Sequence, residues 1–437
     1  MIARDDSADS IGTAKLASTE HSIAEKAVIV SHTGRRDSYE LAYALSLSGR
    51  PVHLITDFFY NPATFGGRLA HIFFGDVVKK RYRSDLTVTV HSSPLLLFTD
   101  FVERAFPRRK WVNMLRGWAL GQRCLGVARR HRVRDIYTYY NSGARQILRE
   151  HPEAHVTVFQ MHPHPDSLTR IYERYLARRP ELRILLTSQE EEMTSNSSYY
   201  DRLSQDARLA HSVLCTSSFT RETLIAAGVP ETRISVVPYG THQVEERMRH
   251  VSEVFTADAG GIHLAFVGQF VLRKGVYELL SVARARPEVR LEVFSREAAA
   301  AQRLAEDWLG SLPSNIVFRK ILDDSELWSA VAQADFLALP SLAEGFGLVI
   351  SEAMTHGLPV IATRHTAAPD LIEDGRSGFL IEGFFEEDIS RAIDRALAAR
   401  EQWPYMRAAA LEDISGRTWP AFRDGILAHL ERNLNGL

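Results

Sequence analysis

The hydrophobic positions of this chain fall into two alternating patterns. Short continuous apolar runs that end in glycine or a polar turn read as strands of a buried parallel sheet, and between them apolar residues recur at helical spacing. From Ala27, AVIVSHTG is such a run. RRDSYELAYALSLSG then reads as a helix with Leu41, Ala44, Leu45 and Leu47 on its apolar side, and PVHLIT (51–56) is the next strand. Further strands are predicted at LTVTV (86–90), HVTVFQ (155–160), LRILLTS (182–188) and HSVLCTS (211–217). A second series holds HLAFVG (263–268), VRLEVFS (289–295), NIVFRKI (315–321), DFLALPS (335–341), PVIAT (359–363) and GFLI (378–381). The final segment, TWPAFRDGILAHLERNL, places Trp419, Phe422, Ile426 and Leu430 on one helical stripe.

Strands alternating with helices in two blocks imply an α/β protein of two doubly wound, Rossmann-like domains facing a cleft, with ligands at the C-terminal strand ends. The expected division is a mobile leader at 1–24, a first domain at 25–245, a linker at 246–261 within the polar stretch 243–261, a second domain at 262–416 and a terminal helix at 417–437. The length of 437 residues suits two cores rather than one. With 45% hydrophobic and 24% charged residues the chain is not disordered as a whole. The balance of 52 basic against 54 acidic residues, net charge -2, argues against a surface built throughout for nucleic acid. No run of about 18 apolar residues and no secretory pattern is present, so a cytoplasmic location is expected. Cys124 and Cys215 have no metal-binding spacing and read as buried thiols.

The richest stretch is DFLALPSLAEGFGLVISEAMTHGLPVIAT (335–363). A strand runs into Pro340 and Ser341, an acidic turn follows at Glu344, and Gly345, Phe346 and Gly347 open a helix that Gly357 and Pro359 end. Glycines at a helix entrance allow close approach of a ligand and leave N–H groups aimed at it, so an anion is expected there. Glu344 and Glu352 could hold the two ends of one extended ligand, and carboxylates accept hydrogen bonds from sugar hydroxyls.

These residues resemble the retaining glycosyltransferases of the GT-B fold, glycosyltransferase family 4. The likeness rests on Glu344 and Glu352 within EGFGLVISEAMTHGLPVIAT, on AFVGQFVLRKGVYELL (265–280), on VLCTSSFTRETLIAAGVPETRISVVPYG (213–240) and on DLIEDGRSGFLI (370–381). It runs from about residue 27 to the end and is densest in the second half. The resemblance implies a GT-B fold whose C-terminal helix crosses back to the first domain. It also implies retaining transfer of a hexosyl group from a UDP- or GDP-linked sugar to a hydroxyl acceptor, in polysaccharide, lipopolysaccharide or glycolipid assembly, with neither cofactor nor metal. Glu344 would bind donor-sugar hydroxyls, the backbone of Gly345, Phe346, Gly347 and Leu348 would lie along sugar and phosphate, and Glu352 would hold the ribose.

A departing nucleoside diphosphate needs fixed cations, which Arg273 and Lys274 can supply. The family usually has arginine where this chain has Gln269. Either Arg273 takes over that charge or Gln269 gives a neutral hydrogen bond. In HVTVFQMHPHPDS, His162 and His164 follow a strand end. The resemblance favours His162 beside the donor sugar, and a metal-pair reading lacks a third ligand of usable spacing. Gly34, after the first strand, would approach the diphosphate from the other domain. No two aspartates are separated by one residue, which fits catalysis without a cation.

Between Lys79 and Arg134 stand 14 basic residues against 3 acidic ones. There PRRKWVNMLRGWALGQRCLGVARRHR predicts an amphipathic helix with Arg109, Arg116, Arg123 and Arg130 every seven residues and Trp111, Trp118 and Leu125 on the opposite face. The arginines either meet an anionic surface, lipid headgroups or acceptor phosphates, or form a solvated face over a tryptophan-lined core contact. Expected partners are thus a nucleotide-sugar donor, a glycan or lipid-linked acceptor and the inner face of the plasma membrane, and not nucleic acid. Two other readings stand beside the transferase: an epimerase or phosphorylase on the same paired domains, and a binding protein with a degenerate donor pocket.

Overall fold

The computed structural model describes residues 27–64, 67–68, 71–72, 75–92, 96, 102, 110–190, 198–241, 260–321 and 323–435. Two all-parallel sheets organise them. The first contains β1 (Val28–Ser31), β2 (Val52–Thr56), β3 (Thr89–Ser92), β4 (Asp135–Tyr139), β5 (His155–Gln160), β6 (Ser212–Cys215) and β7 (Ile234–Val236), in the order β3-β2-β1-β4-β5-β6-β7. The second contains β8 (Ile262–Val267), β9 (Val289–Ser295), β10 (Ile316–Lys320), β11 (Phe336–Leu339), β12 (Val360–Thr363) and β13 (Gly378–Ile381), in the order β10-β9-β8-β11-β12-β13. Central strands such as β1, β6, β11 and β12 are buried at every position, which is why they read as unbroken apolar runs. The arrangement is that of two doubly wound, Rossmann-like domains.

The direction of winding reverses between β1 and β4 in the first sheet and between β8 and β11 in the second. At such switch points the loops leaving adjacent strands part, and a crevice opens at the C-terminal strand ends. The loops after β1, β8 and β11 carry Gly34, Gly268 to Gly275, and Pro340 to Gly347.

Several elements differ from expectation. LRILLTS is not a strand but the helix Arg183–Gln189, following a 3-10 turn at Pro180–Leu182. Leu182 and Leu186, four apart, are buried while Ile184 is 86% exposed, a helical period hidden inside an apolar run. Of LTVTV only Thr89 and Val90 belong to β3, the sheet edge. The first helix is Glu40–Ser46, and Leu47 beyond it is exposed rather than apolar-side. The leader and all of the linker before Gly260 lie outside the described residues. Both cysteines are buried and free. Among the described residues no helix is long and apolar enough to cross a membrane.

The terminal helix Trp419–Asn435 returns to the first sheet. Phe422, Ile426 and Leu430 are buried, Arg423 donates to both Glu40 oxygens (2.8 and 3.1 Å), and His429 Nδ1 lies 2.9 Å from Ser235 Oγ. Tyr239 stands at the junction, within 6.1 Å of the rings of Phe159, Phe346, Trp419 and Phe422. A second junction joins the helix Pro165–Arg178 to the second domain: Arg178 covers the Phe385 ring, and Arg179 pairs with Glu386.

Glu278 is fully buried at this second junction, beside Tyr175 and with Arg179 Nε at 3.8 Å. Burial raises its carboxyl from 4.5 to about 7. Below pH 4.5 it is protonated in folded and unfolded chains alike; between there and about 7 only the unfolded chain ionises, so stability falls as pH rises through that window. Glu278→Gln is therefore expected to flatten this loss. In urea melts from pH 4 to 8, its advantage over the wild type should grow up to about pH 7 and then level off. An unchanged difference across that range would contradict the assignment.

Candidate functional site

The site is assembled where β8 and β11 part. Gly268 follows β8 at φ 145°, and a side chain there would meet Lys274, whose Cε and Nζ lie 3.4 Å from the missing Cβ. Leu272–Lys274 form a 3-10 turn ended by Gly275 at φ 69°. A Cβ on Gly275 would fall 2.0 Å from Pro340 O, so only glycine lets the loop after β8 lie against the loop after β11. The two loops are stitched by Leu342 N donating to Arg273 O at 2.7 Å.

Three predicted residues converge there. Glu344 Oε1 lies 2.7 Å from Arg273 Nη1 and 3.0 Å from Lys274 Nζ. Burial alone would raise the Glu344 carboxyl, but Arg273 and then Lys274 outweigh it and hold the group at about 2. It is a carboxylate throughout the neutral range, an acceptor ready for hydroxyl donors. Arg273 is gripped on its other side as well, with Nε 3.2 Å from Glu190 Oε1 and Nη1 donating to Ala343 O at 3.2 Å. Burial would lower its pKa; Glu344 and Glu190 raise it instead. Its charge is thus shared between two carboxylates. Lys274 contacts Glu344 alone among these and keeps donor capacity for a further anion. Gln269 is exposed at the end of β8.

Gly347, at φ 83°, is the N-cap of the helix Leu348–Thr355, and no side chain caps that helix. Its first N–H groups are therefore left without a side-chain partner, an arrangement suited to phosphate. Leu348 and Glu352 are exposed on this helix. The Phe346 side chain is not part of the surface: it is buried against Tyr239, so only its backbone can meet a ligand.

The opposite wall comes from the first domain. His162, two residues past β5, lines a cavity of about 340 Å³ together with Thr33, Arg36, Arg116, Tyr140, Glu190 and Arg273. The cleft walls, then Arg273 and Arg36, lower its imidazole to about 4, although the ring is open to the cavity. It is neutral at pH 7. His164 plays a different part: fully buried, it bonds Ser204 O at 3.0 Å and accepts from Asp166 N at 3.3 Å as the N-cap of the helix Pro165–Arg178. Gly34, at φ 76°, donates to Asp57 Oδ1 at 2.9 Å and borders a second cavity of about 240 Å³ with Arg35, Arg36, Arg81 and Arg116.

The two walls touch at Gly345. Its carbonyl accepts from Ser217 Oγ at 2.5 Å and Thr220 Oγ1 at 3.1 Å, and an added Cβ would lie 1.7 Å from Met161 O.

The basic helix spans Lys110–His131. Its arginines do not form one stripe. Arg116 turns toward both cavities, Arg123 and Arg130 are exposed, and Arg109 lies outside the described residues. Of the two readings of this helix, the tryptophan-lined core contact is not found: Trp111 and Trp118 are 52% and 51% exposed, and the buried face is carried by Leu120, Cys124, Leu125 and Ala128. Trp111 and Trp118 sit a full heptad apart on the outer face, and the residues of the following turns, not the rings, fit under the sheet.

Residues not foreseen include Arg36, Glu190 and Asp37. Asp37, Ser38 and Tyr39 all have positive φ, a strained turn in the loop after β1. Burial raises the Asp37 carboxyl to about 7, and Tyr139 donates to it at 2.5 Å. The run GRRD after the first strand was the available signal for Arg36 and Asp37.

Residues 251–413 match the family described as glycosyl transferases group 1. The chain is 32% identical over 187 residues to a D-inositol 3-phosphate glycosyltransferase of Segniliparus rotundus, covering 40% of each protein. It is 30% identical over 230 residues to a GDP-mannose-dependent alpha-mannosyltransferase of Mycobacterium tuberculosis, covering 51% of this chain and 57% of the relative. The chain thus spans less than two thirds of the length of either. In structure it is similar to a sucrose-phosphate synthase from Thermosynechococcus elongatus, with a TM-score of 0.64 at 18% identity over 94% of this chain and 99% of that one. The family match covers the second sheet, including Arg273, Lys274, Glu344 and Glu352; the structural likeness extends the fold to the first.

Proposed function

We propose that the protein is a retaining glycosyltransferase that moves a hexosyl group from a UDP- or GDP-linked sugar to a hydroxyl acceptor. The observation that carries this reading is the convergence of a depressed carboxylate, Glu344, a lysine and an uncapped, glycine-entered helix on one crevice. The relatives named above support the reaction class. The diphosphate lies against the start of the helix Leu348–Thr355 and Lys274, Glu344 holds sugar hydroxyls, and Glu352 holds the ribose.

Arg273 acts through Glu344: held by Glu190, it fixes the carboxylate and leaves Lys274 to meet the leaving group. Gln269 then contributes a neutral hydrogen bond. In a front-face displacement the bond from the anomeric carbon to the β-phosphate oxygen breaks. The acceptor oxygen bonds that carbon, and its proton passes to the departing phosphate oxygen. Negative charge grows on the diphosphate, where Lys274 and the helix N–H groups stabilise it. Neutral His162 lies near the donor sugar as a hydrogen-bond partner, and no metal takes part. The acceptor enters through the cavity lined by Arg36 and Arg116, which favours one bearing an anionic group. Exposed Arg123, Arg130, Trp111 and Trp118 suit a peripheral approach to an anionic membrane on the cytoplasmic side.

A thermal-shift screen of nucleoside diphosphates and their sugars tests the donor assignment. The true donor, at about 100 times its Kd, stabilises the fold by roughly 2.7 kcal/mol. Incubation with that labelled donor and candidate acceptors should then yield an α-linked product from an α-linked donor. A change in the sugar without acceptor would mark an epimerase, and tight binding without turnover under any acceptor would mark a binding protein.

A further inference from the structure

Outside the cleft, three histidines from three separate elements meet at one point of the first domain. His53 is on β2, His91 on the edge strand β3 and His131 at the end of the helix Lys110–His131. Each offers a ring nitrogen, and the three nitrogens lie within 4.8 Å of one another. His53 Nδ1 and His91 Nε2 are 2.9 Å apart, while the His131 ring lies 4.5 Å from that of His53 and 5.9 Å from that of His91, centre to centre. We propose that His53, His91 and His131 form a binding site for a divalent transition-metal ion of the zinc class, remote from the reaction cleft.

The site is built rather than incidental. His53 alternates with Val52 and Leu54, which join one apolar core, and shares its sheet face with Ile55, which packs in the other core with Leu120, Leu125 and Ala128 of the helix. It is 8% exposed, a polar ring in a position that strand pattern assigns to an apolar residue. Its neighbours are the two other imidazoles, and among the described residues no carboxylate is paired with any of the three. An unprotonated imidazole nitrogen presents the lone pair that binds metal.

The geometry needs a small adjustment. Tetrahedral zinc at about 2.0 to 2.1 Å from each nitrogen sets the nitrogens about 3.3 Å apart. The His53–His91 contact opens slightly and His131 moves inward. The hydrogen shared by His53 and His91 passes to an outer ring nitrogen, so that pair neither gains nor loses a proton. Three histidines leave a fourth position. Arg123 and Arg130, the cations that face His91, favour an anion such as hydroxide or chloride there.

The location makes the role structural. His131 is 15 residues beyond Arg116, roughly 22 Å along the helix axis from the cleft. An ion would tie the end of the basic helix to β2 and to the edge strand β3, and would leave donor chemistry untouched.

The test uses the full chain, free of any affinity tag and stripped with a chelator, titrated with cobalt(II) chloride and zinc chloride alone. One equivalent is expected, with visible cobalt absorption of a tetrahedral nitrogen site and a rise in Tm. His53→Leu, which fits the apolar face, and His131→Gln at the half-buried helix end should each weaken binding by about 100-fold or more. Both should keep the metal-free Tm within a few degrees and keep donor binding. His211→Gln, which removes a histidine elsewhere, should change nothing. Failure of the wild type to take up one equivalent, or uptake that survives both substitutions, would overturn the proposal.

Discussion

Gly345→Ala is expected to lower kcat by about 100-fold or more while donor affinity changes little. The methyl group would sit 1.7 Å from Met161 O and 3.1 Å from His162 Cα, both backbone atoms of the other domain that cannot step aside as a side-chain tip can. The contact must open, and with it go the Ser217 and Thr220 bonds to the Gly345 carbonyl. The donor's main contacts, at Lys274, Glu344 and the helix Leu348–Thr355, lie on one domain and survive. His162 and the acceptor cavity lie on the other, and a displacement of about 1 Å between reacting partners is enough for a loss of this size. Steady-state kinetics beside calorimetric titration of the nucleoside diphosphate would separate the two effects. A variant with wild-type kcat would show that closure at Gly345 is not needed for transfer.

Lys274→Met should lower kcat by roughly 100- to 1000-fold, the equivalent of about 3 to 4 kcal/mol, with a modest change in stability. The lysine is 3.0 Å from Glu344, but Arg273 at 2.7 Å keeps that carboxylate paired after the substitution. What disappears is the cation with capacity left for the leaving diphosphate. The effect belongs to the transition state, where charge on the β-phosphate oxygen is greatest, so kcat should fall further than donor affinity. Equal losses in the two would make Lys274 a ground-state anchor only.

Much of the fold was legible because both sheets are parallel and covered on both faces, which writes their strands as unbroken Val, Ile and Leu runs. The same rule misread LRILLTS, since an apolar run of that length does not distinguish a strand from a buried helix turn. Glu344, Arg273 and Lys274 were each visible, as was the glycine-opened helix. Their mutual pairing was not, because it follows from the switch point between β8 and β11, where loops some 70 residues apart in sequence meet. The contact between Gly345 and Met161 and the Glu190 grip on Arg273 cross between domains, and no local spacing announces them. His53, His91 and His131 are similarly hidden: they are about 40 residues apart and match no metal motif, and only the sheet order and the packing of the basic helix gather them. Charge periodicity placed the basic helix correctly but not its faces, since the sheet took up Ala, Leu and Cys and left the two tryptophans at the surface.

The central claim is that one crevice of the second domain grips a sugar nucleotide by its pyranose and its diphosphate together. A crystal structure with the intact donor that emerges from the binding screen tests this most directly. The account predicts sugar hydroxyls within hydrogen-bonding distance of Glu344, and diphosphate oxygens within reach of Lys274 Nζ and of the first N–H groups of the helix Leu348–Thr355. A donor bound with its sugar outside contact with Glu344, or its diphosphate away from that helix, would contradict it.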